Sequence, residues 1–206
     1  NGKLEEDGKI YDYENAIGSE DDVLAIEPQN ELHSLTDTLG GQFFDLSAQS
    51  GIYLNLFDIP EEVRSSEDLS VWNLFVAEQA SFAEAFCYAI MKGMSPTGIH
   101  KSIITKCVMQ IYEKAFQDRK HRQPLLSDFY HLLQEYEKEN PRDEQETREI
   151  YKPLEAYCTG TFDMFARSSN LDIRNRFVVF GLKNISSEMW EPVMLVVMHL
   201  LSQRII

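Results

Sequence analysis

The stretch Arg176-Phe177-Val178-Val179-Phe180-Gly181-Leu182 carries the strongest strand signal in the chain. Its apolar residues are consecutive, so side chains on both faces of the strand would be buried, and such a strand lies at the centre of a parallel sheet. A second short apolar run, Val23-Leu24-Ala25-Ile26, is ended by Glu27-Pro28 and predicts another buried strand. Because the two runs lie near opposite ends of the sequence, we expect a sheet whose strands are separated by a long insertion.

The residues that follow the first run continue an α/β pattern. Leu32, Leu35 and Leu39 recur at helical spacing, and Gly40-Gly41 supplies the stop that a helix C-terminus favours. Two β-prone pieces follow, at residues 42–46 and 52–56. The first sixty or so residues are therefore predicted to be α/β.

From Glu61 the strand signals vanish, and apolar residues recur with the 3.6-residue period of amphipathic helices. The predicted helices begin at the following signals: a capping box at residues 65–68, Ser95-Pro96, Leu125 and Asn140-Pro141. Pro153 predicts a kink or a break in the fourth helix, and a last buried helix is predicted from Glu188. The fold class is therefore mostly α with a small α/β part. Residues 1–59 and 170–206 form the α/β domain, and residues 60–169 form an all-helical insertion lobe.

Composition excludes several classes of protein. The chain has 206 residues, and 19 Lys and Arg against 34 Asp and Glu give a net charge of −15, which argues against a general electrostatic grip on nucleic acid. The longest apolar stretch, Val193 to Leu201, is about half as long as the roughly 20 residues of a membrane span. Residues 1–22 are acidic and are interpreted as a solvated approach segment. Three widely spaced cysteines without a CxxC motif favour reduced thiols and a cytosolic protein.

The sequence contains no motif for nucleotide hydrolysis. No stretch matches G-x-x-x-x-G-K-[ST], whose backbone N–H groups hold phosphates, and neither predicted buried strand ends in a pair of acids. Ser95 lies in a segment one residue too long for a G-x-S-x-G nucleophile elbow, so a helix cap is the favoured interpretation. The five histidines are scattered and form no metal-binding motif. The chain alone is therefore predicted to be inactive.

Two acidic residues remain as candidates. Glu27 and Glu31 flank the turn that follows the first predicted strand. They are either a strand end and a helix-start acid that the helix macrodipole favours, or residues beside a bound nucleotide. Both interpretations are open at this point.

Two groups of basic residues also stand out. The first concentrates positive charge in the helical lobe: Lys114, Arg119, Lys120, His121 and Arg122. A helix C-terminus favours cations, and the same cluster would suit DNA or an acidic partner. The second group, Arg174 and Arg176, precedes the central strand. These arginines are either solvated or complete a neighbouring subunit's active site in a ring.

Four short pieces follow one another in the first sixty residues: Glu27-Pro28-Gln29-Asn30-Glu31, Leu39-Gly40-Gly41-Gln42, Asp45-Leu46-Ser47 and Leu54-Asn55-Leu56-Phe57-Asp58-Ile59. Together they resemble the stretch that follows the P-loop helix in conjugative-transfer ATPases of type IV secretion systems. Members of that family usually read D-P-x-x-E-Y there, then Gly-Gly, then I-N-P-hydrophobic-D-I. Later pieces resemble the family in the same order: residues 124–129, Leu154, Tyr157, Gly160 and residues 175–180.

The resemblance implies a partial RecA-like parallel sheet interrupted by the helical lobe, in an internal segment between the P-loop and the catalytic acidic strand of a motor. By resemblance, Glu27 and Glu31 are the cofactor-binding residues, with no catalytic residue or metal ligand in this chain. The chain holds no cofactor of its own, and ATP and Mg²⁺ belong to the parent ATPase, which powers DNA or protein export.

The resemblance also implies partners and a location. The partners are other subunits of a hexameric ring, secretion-channel components and, indirectly, DNA. The location is cytoplasmic, at the inner face of the cell membrane, without a direct membrane span. The alternative interpretation is a stand-alone, non-catalytic helical protein-interaction module.

Overall fold

The computed structural model describes residues 3–6, 9–12, 22–47, 49–117, 122–160 and 162–205. The chain divides into two compact units, one made of residues 1–52 and 171–190 and the other of residues 53–170 and 191–206. The fold is mostly helical with a small parallel sheet, which confirms the predicted fold class.

The first unit begins with a hairpin. Strands β1 (Lys3–Glu6) and β2 (Lys9–Asp12) pair antiparallel, with Lys3 opposite Asp12 and Glu6 opposite Lys9. The interpretation of residues 1–22 as a solvated approach segment does not predict this hairpin. The rest of that predicted segment, at residues 1–2, 7–8 and 13–21, lies outside the described residues.

The parallel sheet of the first unit has three strands, β3 (Val23–Glu27), β4 (Gln42–Asp45) and β5 (Phe177–Gly181). Their spatial order is β3-β5-β4 and both pairings are parallel, so the strand that is last in sequence lies between the other two. All five residues of β5 are buried. The prediction of a central strand is therefore confirmed, and this position explains why its apolar residues are consecutive.

Helix α1 (His33–Thr38) packs on one face of this sheet. The apolar cluster between helix and sheet consists of Leu32, Phe177 and Val179, surrounded by Val23, Ala25, Leu35, Leu39 and Phe43. Gly40 ends the helix region with a φ of 70°, a left-handed conformation that favours glycine. At Gly41 an added Cβ would lie 2.8 Å from the Phe177 carbonyl oxygen, so this residue allows the chain to approach the central strand closely.

Gly181 ends β5 in a space that is too small for a side chain. An added Cβ would lie 2.4 Å from Asn30 Oδ1 and 2.4 Å from Phe43 Cζ. We expect Gly181→Ala to lower the free energy of unfolding by about 1–3 kcal/mol, the usual cost of an extra methyl group in a filled site. Urea denaturation measures this change. Gly98→Ala is the matched control, because nothing lies within 4 Å of its added Cβ, and it should cost nothing. Equal losses in the two variants would contradict this account of Gly181.

The second unit is helical. Its helices are α2 (Glu61–Ser65), α3 (Leu69–Ile90), α4 (Gly98–Gln117), α5 (Leu126–Glu139), α6 (Glu144–Cys158) and α7 (Trp190–Ile205, from residue 191 onward). Short 3₁₀ turns occupy Pro141–Asp143 and Asp163–Phe165. Within the described ranges, no helix combines the length and the apolar character needed to cross a membrane.

An aromatic cluster lies at the centre of the helical unit. The ring of Tyr112, on α4, lies 5.2 Å from Phe75 and 6.3 Å from Trp72, both on α3. It also lies 6.3 Å from Phe57, which in turn lies 5.5 Å from Phe129 on α5. Ring pairs at such distances stabilise a core by about 0.5–1.5 kcal/mol each, beyond the burial of their area. The segment that precedes α2 is thus part of the lobe's core through Phe57.

The predicted strand at residues 52–56 is wrong. The N–H groups of Tyr53, Leu54 and Asn55 donate to Asn170 Oδ1, the Met164 carbonyl and Ser169 Oγ, at 2.8 Å each. Two of these acceptors are side chains, so the segment is extended but forms no ladder with another strand. β-Propensity alone cannot tell these two situations apart.

Two helix predictions also need correction. The N-cap of α3 is Asp68, whose Oδ1 accepts from the Ser70 N–H at 2.8 Å, and residues 61–65 form the separate helix α2. The predicted capping box therefore places the helix start too early. Helix α6 continues through Pro153, so the predicted break is wrong, and the alternative, a kink, stays a prediction. Pro153 removes one backbone hydrogen bond of the helix. The side chains of Ile150 and Leu154, on either side of it in sequence, are buried in the core and stabilise this part of the helix.

His199 fixes α7 against α3. Its ring stacks on Phe82 with centroids 3.8 Å apart and an interplanar angle of 6°. Its Nε2 accepts hydrogen bonds from the Nε2 groups of Gln79, at 2.8 Å, and Gln203, at 3.0 Å. A ring nitrogen that accepts is unprotonated, so this histidine is neutral, and burial lowers its pKa to about 4.

We expect the free energy of unfolding to decrease as the pH falls from about 6.5 towards 4. Unfolded histidine has a pKa of about 6.5 and takes up a proton in this window, whereas folded His199 does so only near its own pKa of about 4. The unfolded state therefore binds more protons, and stability is lost on acidification. Denaturant unfolding at several pH values measures this slope. His199→Gln should flatten it. An unaltered slope in His199→Gln would contradict the assignment.

Candidate functional site

The candidate site lies at the carboxyl edge of the parallel sheet, where open α/β sheets place their ligands. The last residues of the three strands are in register: Glu27 pairs with Gly181, and Gly181 pairs with Asp45. Residues paired in this way project from the same face of a sheet. The two acidic side chains therefore flank the space above Gly181, on the face that also carries α1.

Glu27 is the predicted site residue that the structure places at this edge. Only 8% of it is exposed, and its Oε1 accepts a hydrogen bond of 2.6 Å from the Gln29 N–H. Its Oε2 is buried and has no hydrogen-bond partner among the described residues. A buried carboxylate oxygen without a donor is costly, and it is the kind of atom that a ligand, water or cation would satisfy.

Asn30 fills the space between the two acids. Its φ of 59° is left-handed, a conformation that asparagine adopts more readily than most residues. Its Nδ2 donates to Asp45 Oδ1 at 3.4 Å, and its Oδ1 accepts from the Lys183 N–H at 3.5 Å. Asn184 Nδ2 donates to both oxygens of Asp45, at 3.0 and 3.3 Å. Two amides thus hold the Asp45 carboxylate in place.

Glu31, the second predicted residue, is exposed in the turn before α1. Within the described residues no hydrogen bond or ion pair joins it to Glu27 or to Asp45. The structure therefore brings Glu27 into a row with Asn30 and Asp45 and leaves Glu31 outside that row.

Asn30, Asp45 and Asn184 are parts of the site that were not predicted from the sequence. The signal for Asp45 is its position directly after a β-prone run, since the carboxyl ends of parallel strands meet at one edge. Asn30 and Asn184 have no comparable signal, because their roles depend on loops that are distant in sequence.

The basic cluster is only partly described. Arg119, Lys120 and His121 lie outside the described residues, so this cluster stays a prediction. Arg122 forms a bidentate salt bridge with Asp128: its Nη2 donates to Oδ1 at 2.7 Å and its Nη1 donates to Oδ2 at 2.9 Å. The same carboxylate accepts from the Leu125 N–H at 2.9 Å, at the start of α5. Arg122 therefore holds a helix start.

The two arginines before β5 contact carboxylates of the same chain. Arg174 Nε and Nη2 donate to the two oxygens of Asp172, at 2.8 and 2.7 Å. These bonds lower the pKa of Asp172 to about 2. Arg176 Nε lies 3.5 Å from Asp22 Oδ1. Completion of a neighbouring subunit's site by either residue stays a prediction.

The Leu54–Ile59 segment, which carries part of the family resemblance, has its own hydrogen-bond centre in the helical unit. Asn55 is 2% exposed, and its Nδ2 donates to Asp58 Oδ1 at 2.6 Å and to the Pro124 carbonyl at 2.8 Å. Its Oδ1 accepts from the Phe57 N–H at 3.2 Å. Burial raises the pKa of Asp58, and hydrogen bonds from Ser169 and Asn55 oppose that change. Asn55 thus joins the start of the lobe to the segment before α5.

The residues at the sheet edge supply an acidic group of the kind found beside a bound nucleotide, but they do not supply the groups that bind its phosphates. Glu27 offers an unsatisfied carboxylate oxygen, but no glycine-rich cradle or lysine for phosphates accompanies it in the sequence. The described residues hold no group of three metal-ligating side chains. Burial raises the pKa of Cys107 and of Cys158 to about 12, so neither thiol is a nucleophile at neutral pH.

The fold thus defines a class of chain in which a small parallel sheet is joined to a large helical unit. No protein-family model and no curated protein matches the sequence. Among solved structures, the fold is similar to that of VirB4 of Thermoanaerobacter pseudethanolicus, with a TM-score of 0.67 over 93% of this chain and 73% of that chain. The two sequences are 14% identical, and the comparison therefore shows a shared fold alone.

Proposed function

We propose that this chain is an internal segment of a type IV secretion ATPase, containing the helical lobe and part of the RecA-like sheet of the motor. The observation that carries the proposal is the fold it shares with VirB4, a type IV secretion ATPase, across 93% of the chain. The sequence pieces that resemble conjugative-transfer ATPases support it independently. They include the Glu27–Glu31 segment at the sheet edge and the Leu54–Ile59 segment in the helical unit.

In this proposal the carboxyl edge of the sheet faces a nucleotide whose phosphates are held by residues outside this chain. Glu27, which the resemblance implies only as a cofactor-binding residue, would in this proposal also have a catalytic role. Its Oε2, which has no hydrogen-bond partner among the described residues, would lie beside the reacting phosphate, where a carboxylate orients a water molecule and accepts its proton. Asn30, Asn184 and Asp45 would keep the edge rigid. Glu31 would act further from the phosphates, since it is exposed. When bound to the parent, Mg²⁺ neutralises phosphate charge.

The proposal also assigns partners and a location. As part of a ring motor, the segment would contact other subunits of the same ring and components of the secretion channel, and it would act on DNA indirectly. The net charge of −15 is consistent with this indirect role, because it disfavours direct binding to a phosphate backbone. The protein would act in the cytoplasm, at the inner face of the cell membrane.

Sequencing the reading frame on both sides of the gene segment tests the proposal. We expect a G-x-x-x-x-G-K-[ST] motif upstream and a strand that ends in acidic residues downstream. A start codon close to Asn1 and no such motif would contradict the proposal and support a stand-alone helical interaction module.

A further inference from the structure

A hydroxyl, an imidazole and a carboxylate form a chain of hydrogen bonds where α4 begins. Thr97 Oγ1 lies 2.9 Å from His100 Nδ1, and His100 Nε2 lies 2.9 Å from Glu149 Oε2, on α6. The other oxygen of Glu149 accepts a hydrogen bond of 3.0 Å from Gln145 Nε2. We call Thr97, His100 and Glu149 the Thr97 triad. All three residues belong to the helical unit and not to the sheet edge.

The hydrogen bonds of the Thr97 triad run in one direction. The backbone N–H of Thr97 donates to His100 Nδ1 at 3.0 Å, so this ring nitrogen is an acceptor and carries no proton. The proton of the neutral ring then lies on Nε2, which donates to Glu149 Oε2. The Thr97 hydroxyl therefore also donates to Nδ1. A hydroxyl on a neutral imidazole whose other nitrogen donates to a carboxylate is the arrangement that activates hydroxyl nucleophiles.

The exposure of the three side chains suits these roles. Only 2% of the His100 side chain is exposed, whereas Thr97 lies at the surface. Hydrogen bonds from Gln145 and His100 lower the pKa of Glu149. Glu149 is therefore ionised at neutral pH and stabilises a positive charge on the imidazole. The hydroxyl is open to a reagent, and its base is held in place by the core.

The backbone that follows Thr97 leaves room for an acyl donor. A Cβ added to Gly98 would meet nothing within 4 Å. Gly98 and Ile99 begin α4, and their N–H groups precede the first backbone hydrogen bond of the helix, from Lys101 to the Thr97 carbonyl. Such N–H groups beside a nucleophile stabilise the oxyanion that forms when it attacks a carbonyl. They assist the Thr97 triad, and the three side chains define the site.

A helix cap accounts for only part of this arrangement. The bond from the Thr97 N–H to the His100 side chain satisfies a backbone donor, as a capping box does. A cap requires neither a hydroxyl on the same ring nitrogen nor a carboxylate of another helix on the opposite one. Ser95 provides a comparison, because it is also exposed and no hydrogen bond among the described residues joins it to an imidazole.

We propose that Thr97 is an acyl-accepting nucleophile, with His100 as its general base and Glu149 as the residue that positions His100. The acyl donors are small activated carboxylic esters. A bond forms between Thr97 Oγ1 and the carbonyl carbon, and the bond from that carbon to the leaving oxygen breaks. The hydroxyl proton passes to His100 Nδ1 and then to the leaving group, which departs as an alcohol or a phenol. This inference goes beyond the proposed function and does not depend on it, because it involves no nucleotide.

Acetylation by p-nitrophenyl acetate tests the proposal on the whole chain. Thr97 and Ser95 lie in the same tryptic fragment, between Lys92 and Lys101, and tandem mass spectrometry identifies the acetylated hydroxyl. We expect about 100-fold faster acetylation of Thr97 than of Ser95, because only Thr97 has a general base. His100→Gln should remove this difference. Thr97→Ser should keep the reaction at that position, and Ser95→Ala is the matched control that should leave it unchanged.

Glu149→Gln tests the positioning residue. The amide oxygen can still accept from His100 Nε2, but it carries no charge. Acetylation of Thr97 should become slower, and the pH at which its rate is half-maximal should decrease, because an ionised carboxylate favours the protonated ring. A purely structural role of Glu149 would leave this pH unchanged.

Three results would overturn the proposal. Equal acetylation of Thr97 and Ser95 in the unmodified chain would show that the Thr97 hydroxyl is not activated. An unchanged rate at Thr97 in His100→Gln, with a native circular dichroism spectrum, would show that His100 is not its base. If His100→Gln does not fold, an unchanged pH profile in folded Glu149→Gln would decide against the triad instead.

Discussion

If the chain is a segment of a secretion ATPase, as proposed, replacement of Glu27 by glutamine in the parent protein is expected to lower kcat for ATP hydrolysis about 100-fold or more, with little change in KM. General-base catalysis contributes about 10²–10⁴-fold to a rate, and the amide cannot accept a proton. The substitution keeps Oε1 as the acceptor for the Gln29 N–H and changes mainly the oxygen that lacks a partner. Steady-state hydrolysis assays with the purified parent protein measure both constants.

Glu78→Gln is the control for this prediction. Glu78 is an exposed acid on α3, far in sequence from the sheet edge, and its replacement removes the same charge without touching the site. Hydrolysis by Glu27→Gln at more than a third of the wild-type rate would show that Glu27 has only a structural role, as the acceptor for the Gln29 N–H in the turn after β3.

The second large effect is expected for Asn55→Ala, which should lower the free energy of unfolding of the helical unit by about 3 kcal/mol. Asn55 satisfies the Pro124 carbonyl, the Asp58 carboxylate and the Phe57 N–H. A buried group left without its partner costs about 1–3 kcal/mol, and relaxation recovers part of the sum. Urea denaturation followed by tryptophan fluorescence is a suitable measurement, because Trp72 lies in the same unit.

Asn73→Ala provides the comparison for Asn55. Asn73 is exposed on α3, where alanine is the better helix former, so its replacement should change stability by less than about 0.5 kcal/mol. A loss below about 1 kcal/mol for Asn55→Ala would mean that water replaces its hydrogen bonds and that the segment is not held by this side chain.

The sequence allows the framework of the fold to be predicted because its signals there are local. The run from Phe177 to Gly181 is apolar at every position up to its closing glycine, which required a central strand, and the helices of the lobe follow from their apolar period. Residues 52–56 have the same composition as a strand, yet the N–H groups of Tyr53 and Asn55 donate to side-chain acceptors, Asn170 and Ser169. No local sequence pattern predicts whether an extended segment pairs with another strand or with side chains.

The site was predictable only in part for a similar reason. Glu27 stands at the end of a predicted strand, so its place at the sheet edge follows from the sequence. Asn30 and Asn184 join the site through loops that tertiary structure brings to Asp45. The requirement for glycine at position 181 likewise appears only when Asn30 and Phe43 are seen to occupy the space above it.

The most direct test of the central claim is the thermal unfolding midpoint of this chain and of the parent protein, each with and without Mg²⁺ and ATP. A ligand that binds only the folded state stabilises it, by about 2.7 kcal/mol at a concentration 100 times its Kd. We expect a clear, saturable rise in the unfolding midpoint of the parent and no change in that of this chain. A saturable rise in the unfolding midpoint of the isolated chain would contradict the claim that its phosphate-binding residues lie elsewhere. No rise in the midpoint of the parent would contradict the claim that the chain is a segment of a secretion ATPase.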